Sequence, residues 1–144
     1  MLLRLLLTLL IPAGALAPAA HAEPEPEIPG QNPVVREVFN EPTPVSGKSL
    51  RAVTVRYPPG ATSASHHHAR TAFIMAYVVS GAIRSEVEGE PARVYRAGET
   101  WREKPGAHHT FSENASTTEP AELLAVFLVD TGDGPLTTDD TAQR

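Results

Sequence analysis

The chain has 144 residues, a formal net charge of −5, six histidines and no cysteine, which bounds it to one domain with an ordinary core and no disulfide. An acidic balance without a basic run excludes nucleic acid as a natural partner. Without a G-x-S-x-G elbow, a cysteine nucleophile or a phosphate-cradling glycine loop, hydrolase and nucleotide chemistries have no support.

The first segment, "LLRLLLTLLIPAGALA", is too short to span a bilayer and is interrupted by Pro12 and Gly14. Arg4 precedes the apolar run, and Ala20-His21-Ala22 closes it in an A-x-A pattern. Residues 1–22 therefore read as a secretory signal peptide cleaved after Ala22, with Ala17 as the second choice. The expectation is an exported protein, periplasmic or extracellular, with no membrane span once the signal is removed. Residues 23–33, "EPEPEIPGQNP", alternate acid and proline and predict an extended, solvated arm.

From residue 34 the chain carries short runs of strand formers: "VVREVF" (34–39), "LRAVTVRY" (50–57), "FIMAYVV" (73–79) and "AIRSEVE" (82–88). "ARVYR" (92–96), "TWRE" (100–103), "HHTFS" (108–112) and "ELLAVFLV" (122–129) follow. Val53, Val55 and Tyr57 alternate with Thr54 and Arg56, the period of a half-buried strand. Turn residues separate the runs, among them Pro58-Pro59-Gly60, Ser80-Gly81 and Pro105-Gly106. "ELLAVFLV" could be helical by its leucines, but its length, valines and phenylalanine favour a buried strand. The pattern predicts an antiparallel, all-β sandwich or barrel over residues 34–130. The tail, residues 131–144, is acidic and broken by glycine and proline, and is expected to be irregular or disordered.

Five of the six histidines fall in two clusters, His66-His67-His68 and His108-His109. Side chains two apart on a strand share a face, so His66 and His68 can aim at one point while His67 faces away. A third imidazole from the second cluster would complete a site for a divalent transition ion with positions left open. The competing reading, two solvated histidine-rich loops, is weakened because each cluster enters an apolar strand.

These residues resemble a known family. Gly60, His66-His67-His68 and Gly81 closing "AYVVSG" are similar to the first cupin motif, and "GETWREKPGAHHTFSEN" (98–114) resembles the second. The resemblance spans roughly residues 50–129. It implies an antiparallel jelly-roll (cupin) β-barrel and metal ligands His66, His68 and His109, the last preferred to His108 by its distance from Gly106. It further implies a homodimer, a bound Fe, Mn, Ni or Zn ion, and a small-molecule ligand or substrate. Within that class a quercetinase-like dioxygenase leads, with a non-catalytic metal- or ligand-binding module as the alternative.

Two departures matter: Lys104 stands where the second motif commonly has its first proline, with Asn114 one residue further from His109 than usual, a small shift for the fold, and the second bears on chemistry. The glutamate usual in the first motif is absent, and Ile74 stands in its place. Glu99 and Glu103 are the nearest acids, and beside a turn both are expected to be solvated, Glu103 as part of an exposed pair with Arg102. Tyr77, Ile74 and Trp101 are candidate walls of a substrate pocket, although core packing is the commoner role for Phe73, Met75 and Tyr77. Asn114-Ala115-Ser116 matches a glycosylation sequon and is read as a turn after a strand.

Overall fold

The structure, a computed structural model, describes residues 32–140. The expected signal peptide, most of the proline-rich arm and the last four residues of the tail lie outside the described residues.

Among the described residues there are eleven strands: β1 (Val34–Pro42), β2 (Lys48–Tyr57), β3 (Thr62–Ser63), β4 (His66–His68), β5 (Phe73–Ser80), β6 (Ala82–Val87), β7 (Arg93–Arg96), β8 (Thr100–Glu103), β9 (His108–Asn114), β10 (Ala121–Asp130) and β11 (Thr137–Asp139). One sheet has the order β1-β2-β10-β5-β8 and the other β11-β4-β9-β6-β7, with β3 beside β9. Every pairing is antiparallel. The two sheets form the jelly-roll barrel expected of short, alternating strands. No helix among the described residues is long and apolar enough to cross a membrane.

Period-two alternation builds the interior. On β5, Ile74, Ala76 and Val78 are buried while Phe73, Met75 and Tyr77 face outward. "ELLAVFLV" is a strand: β10 lies at the centre of its sheet, between β2 and β5, with Leu123, Ala125, Phe127 and Val129 turned inward. Together with Val53, Tyr57, Ile83 and Trp101 these side chains form one core. At about 25 cal/mol per Å² of apolar surface removed from water, such a core is the main source of stability in a chain with no cross-link.

Gly81 joins β5 in one sheet to β6 in the other, at φ 69°. A Cβ there would stand 2.7 Å from the Pro120 carbonyl oxygen and 2.8 Å from the Ala121 Cβ. The close crossing and the left-handed backbone both require glycine. Asn114 closes β9 as a buried staple: its amide nitrogen donates to the carbonyls of Tyr57, Pro58 and Glu119, and its oxygen accepts from the Ser116 N–H. The sequon asparagine is therefore a turn residue whose amide is committed inside the protein.

The tail corrects the expectation of an irregular segment over its described part. Thr137, Thr138 and Asp139 pair with His68, His67 and His66, and the partly buried Leu136 packs on the core. Composition argued against a strand here, but a ready-made edge on β4 supplied the partner that local propensity could not.

Candidate metal centre

Strands β4 and β9 lie side by side with His66 directly opposite His109 and His67 opposite His108. Alternation then sends His66, His68 and His109 to the interior and His67 and His108 to the outside. Ligand nitrogens of the inner three lie within 4.8 Å of one another, a span that small side-chain rotations close onto one ion with metal–nitrogen distances of about 2.0–2.1 Å. His68 and His109 are buried, and His66 is half-buried at the cavity side.

Each ring is fixed by its other nitrogen. His66 Nδ1 lies 2.7 Å from the Ala64 carbonyl, His68 Nδ1 3.3 Å from the Leu136 carbonyl, and His109 Nε2 2.8 Å from Ser85 Oγ. Partners of this kind set the tautomer and aim the remaining nitrogen of a metal-ligating histidine. Burial pushes the His109 imidazole down to about 4, and burial also lowers His66. Both rings are thus neutral at ordinary pH, the form that binds metal.

The carboxylate that the first motif lacks is present after all. Glu103 is 3% exposed, its Oε2 lies 2.8 Å from His68 Nε2, and its Oε1 lies 3.6 Å from His109 Nδ1 and accepts from Trp101 Nε1–H at 2.9 Å. The expectation of a solvated Glu103 ion-paired with Arg102 is overturned. The reason is register: on β8 the inward residues are Trp101 and Glu103, and Glu103 is the direct cross-strand partner of Ile74. The neighbouring strand therefore delivers a carboxylate opposite the position where the motif would carry one. Glu99 is exposed and caps the turn by accepting from the Arg96 N–H.

Burial opposes charge on Glu103, but the contacts with His68, His109 and Trp101 outweigh it and hold the carboxyl down at about 2. His68 Nε2 and Glu103 Oε2 face each other 2.8 Å apart, yet neither makes an aligned hydrogen bond. A proton on His68 Nε2 at acid pH bridges the two atoms; with the ring neutral through its Nδ1–H they are left unsatisfied at a cost, and a shared cation satisfies both. The donor set fits a divalent transition ion on that ground.

The site opens into a cavity of about 610 Å³ walled by Val53, Ile74, Trp101, Leu123 and Phe127, with Pro33 and Leu136 among the residues from the two ends of the described chain. Ile74 and Trp101 stand where the sequence suggested. Tyr77 does not: it lies on the outward face of β5 with Phe73 and Met75, 38% exposed, so it neither lines this cavity nor packs in the core. Tyr57, which the sequence offered only as a strand residue, reaches the cavity and bonds through its hydroxyl to Ser63 and Ser112.

This fold and this histidine set define a cupin. The sequence matches the cupin domain family over residues 53–127, and the chain belongs to that family. Solved structures share the barrel. An uncharacterized conserved protein with a double-stranded β-helix domain from Klebsiella pneumoniae subsp. pneumoniae MGH 78578 is 22% identical, with 72% of this chain and 81% of that one covered and a TM-score of 0.57. Oxalate oxidase in complex with the substrate analogue glycolate is 25% identical, with 76% and 55% covered and a TM-score of 0.58. The DMSP lyase DddQ from Ruegeria pomeroyi DSS-3 is 19% identical, with 78% and 54% covered and a TM-score of 0.60. This chain thus spans about half the length of the oxidase and of the lyase. Among curated proteins none matches the sequence.

Proposed function

We propose that the chain is an exported cupin metalloenzyme that holds one divalent transition ion through His66, His68 and His109, with Glu103 as a fourth ligand, and acts on an oxygen-bearing small molecule. The observation that carries this reading is the buried, unsatisfied pair His68 Nε2 and Glu103 Oε2 at the end of the cavity. When bound, an Fe, Mn, Ni or Zn ion supplies Lewis-acid polarisation of a substrate oxygen, and a redox-active one supplies dioxygen chemistry. The protein supplies position: carbonyls 64 and 136 and Ser85 orient the rings, and Trp101 Nε1–H fixes the carboxylate. Held at about 2, Glu103 is a weak proton acceptor near neutrality, which suits a ligand better than a general base.

The apolar walls favour a substrate with an apolar or aromatic body, which is the basis for a quercetinase-like dioxygenase. A non-catalytic binding module is the second reading, favoured by the lack of a strong base beside the site. Loading chelator-stripped protein with Fe(II), Mn(II), Ni(II) or Zn(II) and following oxygen uptake with a flavonol and a diketone separates them. Uptake with a redox-active ion, lost in His66→Ala/His68→Ala, supports the enzyme; stoichiometric metal binding with no turnover for any ion supports the module. A homodimer is part of the proposal, because β1 is exposed along all nine residues and presents Val34, Val35, Val38 and Phe39. Light scattering that returns twice the chain mass is the expected result.

A further inference from the structure

The outward-facing members of the two histidine clusters form a second constellation with the last described residue of the tail. His67 and His108 are cross-strand partners whose rings stack at 4.2 Å with 9° between their planes. Strand β11 runs antiparallel to β4 with Thr138 opposite His67, so the chain arrives at Asp140 beside both rings. Asp140 Oδ1 lies 3.1 Å from His67 Nδ1 and Oδ2 lies 3.0 Å from His108 Nε2. We propose that His67, His108 and Asp140 form a second, outer site for a divalent ion of the zinc type, separate from the centre inside the barrel.

One ligand atom from each of the three residues lies within 4.8 Å of the other two, and an ion there would replace the hydrogen bonds that now join Asp140 to His67 and His108 and Ser65 to His108 Nε2. The chemistry matches as well, since two imidazoles and one carboxylate suit a borderline ion and leave a position open to water. A further observation points to a ligand: the other nitrogen of His108, Nδ1, faces Glu88 Oε2 at 3.4 Å. A carboxylate behind the remote nitrogen of a histidine is the usual support for a metal-bound ring. Ser65 Oγ steadies the carboxylate, donating to Asp140 Oδ2 at 2.6 Å. All three ligands are reachable from solvent, with His67 and Asp140 side chains 45% and 37% exposed.

The site joins residues 65–68, 88, 108 and 140, so an ion there ties the tail to the same two strands that carry the inner histidines. The test is titration of the full, chelator-stripped chain with Zn(II) alone, in competition with a chromophoric chelator. Asp140→Asn keeps the shape of the side chain but removes its charge and one of its two acceptor atoms, and it or His67→Ala should weaken one class of Zn(II) binding at least 100-fold. Glu88→Gln should weaken the same class by about 10- to 100-fold. His66→Ala/His68→Ala, which removes inner ligands, should keep that class, so loss of the inner centre is told apart from loss of the outer one. In the wild type, Zn(II) should also slow amide exchange at Thr138, and in Asp140→Asn it should not. Equal Zn(II) binding by wild type, Asp140→Asn and His67→Ala would overturn the proposal and leave a proton-held clasp.

Discussion

Glu103→Gln keeps the size of a side chain that is 3% exposed and removes its charge. The amide still accepts from Trp101 Nε1–H, but it no longer faces His68 and His109 as an anion. In the folded chain the carboxyl is held at about 2 against an ordinary 4.5. At about 1.4 kcal/mol per pH unit, the ionised form is favoured in the fold by about 3 kcal/mol. Because the folded value is the lower one, this stability is present above pH 4.5 and is lost as pH falls through about 2. Glutamine mimics the protonated acid, so the metal-free variant should lack this acid limb and unfold with a flatter pH profile below pH 4.5. Urea unfolding of chelator-stripped protein between pH 2 and pH 7 measures both profiles. The difference between wild type and variant should shrink as pH falls below 4.5. Curves that stay parallel over that range would show that Glu103 is not an ionised partner of the histidines, and the donor set would lose its fourth member.

His109 gives an acid limb of its own: held at about 4 against 6.5, mainly by burial, it binds its proton in the unfolded chain first. Stability of the metal-free protein should fall by about 3 kcal/mol between pH 6.5 and pH 4, and His109→Asn should flatten that limb in the same unfolding series. Gly81→Ala should destabilise by more than the roughly 1–2 kcal/mol of a left-handed backbone, because its Cβ also meets the Pro120 carbonyl at 2.7 Å; a thermal midpoint unchanged from wild type would contradict the crossing geometry. Asn114→Ala strands the carbonyls of Tyr57, Pro58 and Glu119 and should cost about 2–3 kcal/mol in denaturant unfolding. The tail clasp has a pH window. Hydrogen bonds from Ser65 and His108 hold Asp140 at about 2, and the bond to Asp140 raises His108. The Asp140 contribution is present above about pH 3.8 and lost through about 2, and the His108 contribution is present below about 6.5 and lost as pH rises through its raised value. Amide exchange at Thr138, corrected for intrinsic rates, should therefore be slowest between about pH 4 and pH 6.5.

Much of the barrel was legible because its strands alternate and its turns carry glycine and proline. "TWRE" coincides with β8, and "ELLAVFLV" lies within β10. The inner histidines were legible for the same reason, since period two alone separates His66 and His68 from His67. That rule also reached Glu103: it is two residues from Trp101, so a wall made of Trp101 implies an inward Glu103. The turn beside it masked the inference, and nothing local reveals that Glu103 is paired with Ile74 across two strands. Tyr77 failed for the opposite reason. "FIMAYVV" is apolar on both faces, so its period is silent about which face is inside. Strand β11 was illegible because its two threonines stand between Gly134-Pro135 and Asp139-Asp140 in an acidic tail, and nothing local shows that the edge of β4 is there to pair with them.

Anomalous diffraction at the absorption edge of the loaded ion, from crystals of the metal-reconstituted chain, tests the inner centre most directly. The account predicts a peak inside the barrel bonded to His66, His68, His109 and Glu103, at about 2.0–2.2 Å from each ligand atom. Density for the metal elsewhere only, with His68 and Glu103 still facing each other across an unfilled gap, would contradict it.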